Sequence, residues 1–148
     1  MKVIIASDHA GFKLKERVKK YLEREKIEYS DLGTDSLNPV DYPDFAIKAA
    51  GEVVKDKNSR GILVCGTGTG MTIAANKVKG IRAVAAYDAY SAKMSRVDND
   101  TNVLGLRGRF FSFGKIKKII NIWLQTPFSG ESRHENRLKK ITDYERKE

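Results

Sequence analysis

Short runs of β-branched and aliphatic residues recur along this chain with amphipathic stretches between them, and this alternation constrains the fold more than any other feature. Val3 to Ala6 and Gly61 to Cys65 are nearly continuous apolar runs of strand length, the pattern of strands covered on both faces. Ile27 to Leu32, Arg82 to Ala86 and Val103 to Leu106 read as further strands. Between them the period shifts to that of a helix. After Phe12, Leu14, Val18, Tyr21 and Leu22 share one stripe while Lys13, Lys15, Lys19, Lys20 and Glu23 fill the rest. Phe45, Ala46, Ala49, Ala50, Val53 and Val54 form a second stripe behind Pro43, which suits a first helical turn. Helices also read over Met71 to Val78, Ala89 to about Val97 and Lys115 to Leu124, and a Thr126-Pro127-Phe128-Ser129-Gly130 break precedes a last one.

Strands alternating with helices build right-handed crossovers and therefore a parallel sheet. The expected fold is α/β, a three-layer Rossmann-like sandwich around a parallel sheet of about five strands. A chain of 148 residues holds one sizeable core, and with no repeat or linker residues 1–148 read as a single domain. Thr34 to Pro43 is the longest expected loop. A hydrophobic share of 41% excludes a disordered tail. The single cysteine excludes an internal disulfide framework and an all-cysteine metal site, and it fits a reducing compartment. The apolar start is too short for a signal segment and no run is long enough to span a membrane, so a soluble, cytoplasmic protein is expected.

The 28 Lys and Arg against 19 Asp and Glu, a net charge of +9, point to an anionic partner. These cations are dispersed among acids instead of forming a stripe, and zinc patterns and aromatic-rich binding strands are lacking. Neither nucleic acid nor a membrane surface is therefore the expected partner. A small anion is.

Sheets of this kind bind ligands at the carboxyl ends of their strands. Ser7-Asp8-His9 follows the first strand and Cys65-Gly66-Thr67-Gly68-Thr69-Gly70 the third, so both fall at that edge. Asp98-Asn99-Asp100-Thr101-Asn102 precedes the fifth strand and is expected beside them or at a subunit contact. Alternate glycines free backbone N–H groups to face an anion, and the helix behind them adds the positive end of its dipole. The loop is not a Walker motif, because Gly70 is followed by Met71-Thr72, and it is not a dinucleotide fingerprint, because Met71 stands where the last glycine belongs. A tight turn remains the plainer reading of the glycines. Cys65, at the end of a buried strand and against amides, is either an inert core residue or a stabilised thiolate able to act as a base. His9 shares its strand end with Asp8. Arg133 and Arg137, four apart on one helix with His134 beside the first, can grip a phosphate or pair with neighbouring acids such as Glu135.

Ser7-Asp8-His9-Ala10-Gly11, Asp41-Tyr42-Pro43, the Cys65 to Gly70 loop, Ala74-Ala75-Asn76-Lys77, Gly80-Ile81-Arg82-Ala83, Asn99-Asp100-Thr101-Asn102-Val103-Leu104 and Arg133-His134 occur together in this order. With them the chain resembles, over nearly its whole length, the family of ribose-5-phosphate isomerase B and the galactose-6-phosphate isomerase subunits. The resemblance implies interconversion of ribose 5-phosphate and ribulose 5-phosphate, in the pentose phosphate pathway, through a cis-enediolate with no metal and no organic cofactor. It implies Cys65 as the proton acceptor and the amides of Gly66, Thr67, Gly68, Thr69 and Gly70 as the enediolate cradle. It further implies Asp8, His9 and Asn99 as sugar contacts and Arg109, Arg133 and Arg137 as the phosphate clamp.

Relatives of this kind form dimers or dimers of dimers with shared sites. A homodimer or homotetramer is thus implied, with Asn99 and Arg109 acting across an interface and the C-terminal helix, about 131–148, packing on a neighbouring subunit. One departure stands out. Relatives with this cysteine commonly carry His before the Asn-Asp-Thr-Asn block, assigned to ring opening, where this chain has Asp98. A carboxylic acid takes that proton-donor position only if burial or a like charge keeps it protonated, and His9 is the other residue available for ring opening. The alternatives are a six-carbon sugar phosphate as substrate, such as allose or galactose 6-phosphate, and a non-catalytic sugar-phosphate sensor on the same fold.

Overall fold

The computed structural model describes residues 1–147; the last residue of the expected C-terminal helix, 148, lies outside the described residues. Strands β1 (Lys2–Ser7), β2 (Tyr29–Asp31), β3 (Ser59–Cys65), β4 (Ala83–Ala85) and β5 (Val103–Arg107) alternate with helices α1 (Phe12–Arg24), α2 (Tyr42–Val53), α3 (Thr69–Ala75), α4 (Ala89–Asn99) and α5 (Phe113–Gln125), and α6 (Ser132–Glu145) closes the chain. All strand pairs are parallel, in the order β2-β1-β3-β5-β4, as the alternation predicts. β1 and β3 are central, which is why their sequences are continuously apolar. Val3, Ile5, Ile62, Val64, Leu104 and Leu106 pack on one face with α1, α4 and α5, and Ile4, Ala6, Leu63 and Cys65 on the other with α2 and α3. Among the described residues no helix is long and apolar enough to cross a membrane.

Of the boundaries that differ from the sequence reading, three have a clear local reason. β2 begins at Tyr29 instead of Ile27, because Lys26 takes a positive φ of 56° and the Ile27 amide still donates to Leu22 of the helix. α3 starts two residues early, since Gly68 at φ +82° turns the chain and its carbonyl accepts from the Thr72 amide at 3.3 Å. It stops at Ala75 because the Asn76 amide side chain turns to the backbone of Ala83, accepting its N–H at 2.7 Å and donating to its carbonyl at 2.9 Å.

Several cations that pattern reading would leave on the surface are turned inward. Lys15 is 1% exposed and donates to Asp31 Oδ2 at 2.6 Å and to the Thr34 carbonyl at 2.8 Å. Arg96 is buried, bonding the Thr126 and Thr101 carbonyls and the Asp100 carboxylate. Arg60, half-buried, caps the end of α5 by donating to the carbonyls of Trp123 and Leu124. Burial first, and then the nearby Arg96, push its guanidinium down to about 10, against a smaller opposing pull from Asp100.

The Lys15 network makes an acid-sensitive joint. Burial alone would push the Asp31 carboxyl up; hydrogen bonds from Lys15, the Gly33 amide and Lys19, with the Lys15 charge, reverse this and hold it below its ordinary value of 3.8. A carboxyl held lower in the folded than in the unfolded chain contributes stability that is complete above the unfolded value and is lost as pH falls through the folded one. Urea titrations at descending pH should therefore show wild-type stability falling below about pH 4, and Asp31→Asn should flatten that part of the profile while lowering the plateau above it. An unchanged acid limb in the variant would place the sensitivity elsewhere.

Candidate active site

The carboxyl ends of β1, β3 and β5 meet at one edge of the sheet, and their backbones lie in close contact there. A Cβ on Gly11, just before α1, would stand 2.1 Å from the Val64 carbonyl oxygen, and one on Gly108 would stand 3.0 Å from the Cys65 oxygen. The floor of the site is therefore main chain. Gly108 and Arg109 extend it by donating their amides to the carbonyls of Cys65 and Gly66 at 2.8 and 3.2 Å.

Cys65 ends β3, 5% exposed, and its Sγ accepts the Gly68 amide at 3.1 Å. Gly68 is fixed from its other side by Thr72, whose hydroxyl donates to the Gly68 carbonyl at 2.7 Å. Gly105 is needed opposite, because a Cβ there would overlap the Thr72 hydroxyl. Gly70 and Met71 fall in the first turn of α3, where the amides of an α-helix have no partner within the helix. A cysteine sulfur that already accepts one amide can, as the thiolate, take up a proton from carbon, and amides of the same loop can hold negative charge on an adjacent oxygen.

Asp8 is buried and caps the approach to α1, its Oδ1 accepting the Gly11 amide at 2.9 Å. His9 is half-buried beside it, with Nδ1 accepting the Val40 amide at 3.2 Å. Arg109 lies at this same edge in the same chain: its guanidinium comes within 3.5 Å of the position a Gly66 Cβ would take. Gly66, Thr67, Arg107, Arg109, Tyr87 and Phe110 line a pocket of ≈ 390 Å³.

Asp98 and Asn99 are not brought to this edge. They end α4, and the chain enters β5 beside the start of β3, where Val103 pairs with Gly61, whereas Cys65 pairs with Arg107. The run of strand between them is about 13 Å at 3.3 Å per residue. Of the two placements expected for the Asp98 to Asn102 cluster, beside the other two or at a subunit contact, this register removes the first within one chain: a helix-to-strand connection in a parallel sheet must fall at the amino edge. Asp98 Oδ1 is 3.5 Å from Nε2 of His134, which is buried and bonded through Nδ1 to the Ser129 hydroxyl at 2.6 Å. Arg133 and Arg137 are exposed on α6, Arg133 paired with Glu131 at 2.8 Å.

Three residues at the carboxyl edge escape a reading of strand ends. Tyr87 donates its phenol to the Thr67 carbonyl at 2.9 Å and lies 3.1 Å from the Thr69 hydroxyl, clipping the glycine loop to the end of β4. The Tyr42 ring fills the space where Gly70 would carry a Cβ, 2.9 Å away. Phe110 stands at the rim, 91% exposed and at φ 54°. Asp41-Tyr42-Pro43 was the signal available for Tyr42; nothing in local sequence marks Tyr87 or Phe110.

The family model described as Ribose/Galactose Isomerase matches residues 3–141. The chain belongs to this family. A putative sugar phosphate isomerase of Bacillus subtilis is 49% identical to this ribose/galactose isomerase family member over 148 residues, covering 99% of each chain. The solved ribose-5-phosphate isomerase B of Clostridium thermocellum superposes with a TM-score of 0.96 at 44% identity, again over 99% of both chains. That of Mycoplasma genitalium, solved with bound ribulose-5-phosphate, superposes with a TM-score of 0.94 at 38% identity, covering 99% of this chain and 97% of its own.

Proposed function

We propose that this family member is an aldose–ketose isomerase that interconverts D-ribose 5-phosphate and D-ribulose 5-phosphate. The observation that carries the reading is the Cys65 sulfur, at the floor of a main-chain cradle and already bonded to the Gly68 amide. The thiolate takes the C2 proton of the open-chain aldose, and the released electron pair forms the C1–C2 double bond of a cis-enediolate. Charge settles on O1, facing the amides of Gly66, Thr67, Gly68, Thr69 and Gly70. Return of the proton from sulfur to C1, with the O2 hydroxyl proton passing to O1, leaves the ketose. Asp8 and His9 hold sugar hydroxyls, and Arg109 meets the phosphate.

Asn99, Arg133, Arg137 and Asp98, in the proton-donor position, reach such a site only from a second copy, so the working unit is a homo-oligomer with shared sites. In support, a groove of ≈ 720 Å³ lined by Ala83 and Val84 of the edge strand β4, by Ile141 and Tyr144 of α6, and by Asn99 leaves Ile141 and Tyr144 exposed at 48% and 68%. A second copy covering this groove would bring Asn99 to the contact. Arg109, expected to act across the interface, serves instead the site of its own chain.

Side-by-side assays with ribose 5-phosphate and with allose and galactose 6-phosphates test the substrate. Turnover of the five-carbon sugar is expected to dominate; turnover of a six-carbon sugar alone would overturn the assignment, and ligand binding without turnover would make the protein a sensor. Mixing inactive Cys65→Ala with inactive Asn99→Ala should restore up to about a quarter of wild-type activity, because one site in a mixed dimer is intact while half of the dimers are mixed. No recovery after subunit exchange would confine each site to one chain.

A further inference from the structure

His9 is held from behind. The Val40 amide donates to its Nδ1 at 3.2 Å, and a ring nitrogen that accepts an N–H carries no proton of its own. Neutral His9 in this arrangement bears its proton on Nε2. The donor is aimed by a frame that does not depend on the histidine: the Thr34 amide donates to the Ser7 carbonyl at 3.0 Å, the buried Lys15 ammonium holds the Thr34 carbonyl at 2.8 Å, and Asp31 binds both Lys15 and the Gly33 amide. At its far end the loop is anchored where α2 begins at Tyr42 and Pro43. Asp8, next to His9 in sequence, has an oxygen occupied by the Gly11 amide.

We propose that Val40 is a positioning residue that locks His9 as the Nε2–H tautomer, so that His9 meets a sugar oxygen as a neutral hydrogen-bond donor. This rests on the reading of His9 as a sugar contact, and it separates two roles open to that residue. A neutral imidazole that gives up its Nε2 proton becomes an imidazolate, which is a poor outcome near neutral pH, so the residue polarises an oxygen without transferring a proton to it. To act as a full acid, His9 would need a second proton on Nδ1, and that proton would face the Val40 N–H. Ring opening therefore draws its proton from another group, and the long Thr34 to Asp41 loop gains a function: its main chain sets which way a catalytic-edge imidazole points its proton.

Two-bond proton–nitrogen correlation spectra of the full chain, labelled with ¹⁵N-histidine at neutral pH, test the lock directly. His9→Asn removes one of the two histidine patterns and so assigns the other to His134. The expected result is a pyrrole-type Nε2 and a pyridine-type Nδ1 for His9; a pyrrole-type Nδ1, or two averaged nitrogens, would overturn the proposal. Val40→Pro, which deletes the donor, should convert the fixed pattern to an averaged one, and a pattern that stays fixed would mean that Val40 does not set it.

Activity supplies the second arm. His9→Gln keeps a donor near the Nε2 position and should retain kcat/KM for ribose 5-phosphate within about tenfold, whereas His9→Asn keeps the partner of Val40 but lacks the outer donor and should lose about 10²-fold. The reverse order would overturn the donor role. A chain that shows the locked tautomer but turns over no ribose 5-phosphate would sink the substrate reading and leave the lock standing.

Discussion

Cys65→Ala is expected to lower kcat for ribose 5-phosphate by about 10²–10⁴-fold, the range that one positioned base supplies, with binding of the sugar phosphate little changed. The substitution removes a sulfur and leaves the cradle, because the loop has independent supports: the Thr72 hydroxyl on the Gly68 carbonyl, the Gly108 amide on the Cys65 carbonyl and the Tyr87 phenol on the Thr67 carbonyl. Proton exchange at C1 of ribulose 5-phosphate in deuterated water isolates the step. That ketose, with its phosphate on C5, has no hydroxyl free to close a five-membered ring, so its exchange needs the base and not the ring-opening acid. Loss of exchange with retained affinity fits the assignment. Exchange that persists in the variant would move the base to another group.

Gly11→Ala should be among the most damaging single-methyl additions in this chain, lowering stability by about 3 kcal/mol or more. Its Cβ would stand 2.1 Å from the Val64 carbonyl oxygen and 2.4 Å from the carbon, atoms of a central strand that cannot swing aside as a side chain would. Relief requires α1 to back away from β3, which would also pull the Gly11 amide from Asp8 and shift His9. Activity should fall with stability. Gly51→Ala is the control: it lies in α2 with nothing within 4 Å of the added methyl, so it should be neutral or stabilising by up to about 1 kcal/mol. Equal denaturant midpoints for Gly11→Ala and wild type would mean that α1 does not approach the strand this closely.

The parallel sheet was legible because its central strands advertise two-sided burial, as in Ile62-Leu63-Val64-Cys65, and because each helix stripe is apolar at helical spacing. The glycine loop and its cysteine were legible as well, since their chemistry is contiguous in sequence. Asp98 and Asn99 were harder to read. Their residue types suit a sugar site, but the register that pairs Val103 with Gly61 sends them to the opposite edge, and register is a property of pairing that a single strand does not display. Tyr87 and the inward-turned Lys15, Arg60 and Arg96 were also invisible, for a related reason: what each touches is remote in sequence, such as Thr67 for Tyr87 and the α5 carbonyls for Arg60. Part of the formal positive charge therefore faces helix ends and half-buried carboxylates, not solvent or substrate.

Lys15 gives this arrangement a practical use. Its amine is sealed between α1 and β2, whereas Lys13 and Lys20 on the same helix are exposed. An acylating reagent should mark the exposed amines first and reach Lys15 only when α1 lifts from the sheet. The labelling rate at this one position, read by peptide mass after digestion, thus becomes a clock for how often the helix that carries Asp8 and His9 at its entrance comes undocked, without any probe attached to the site.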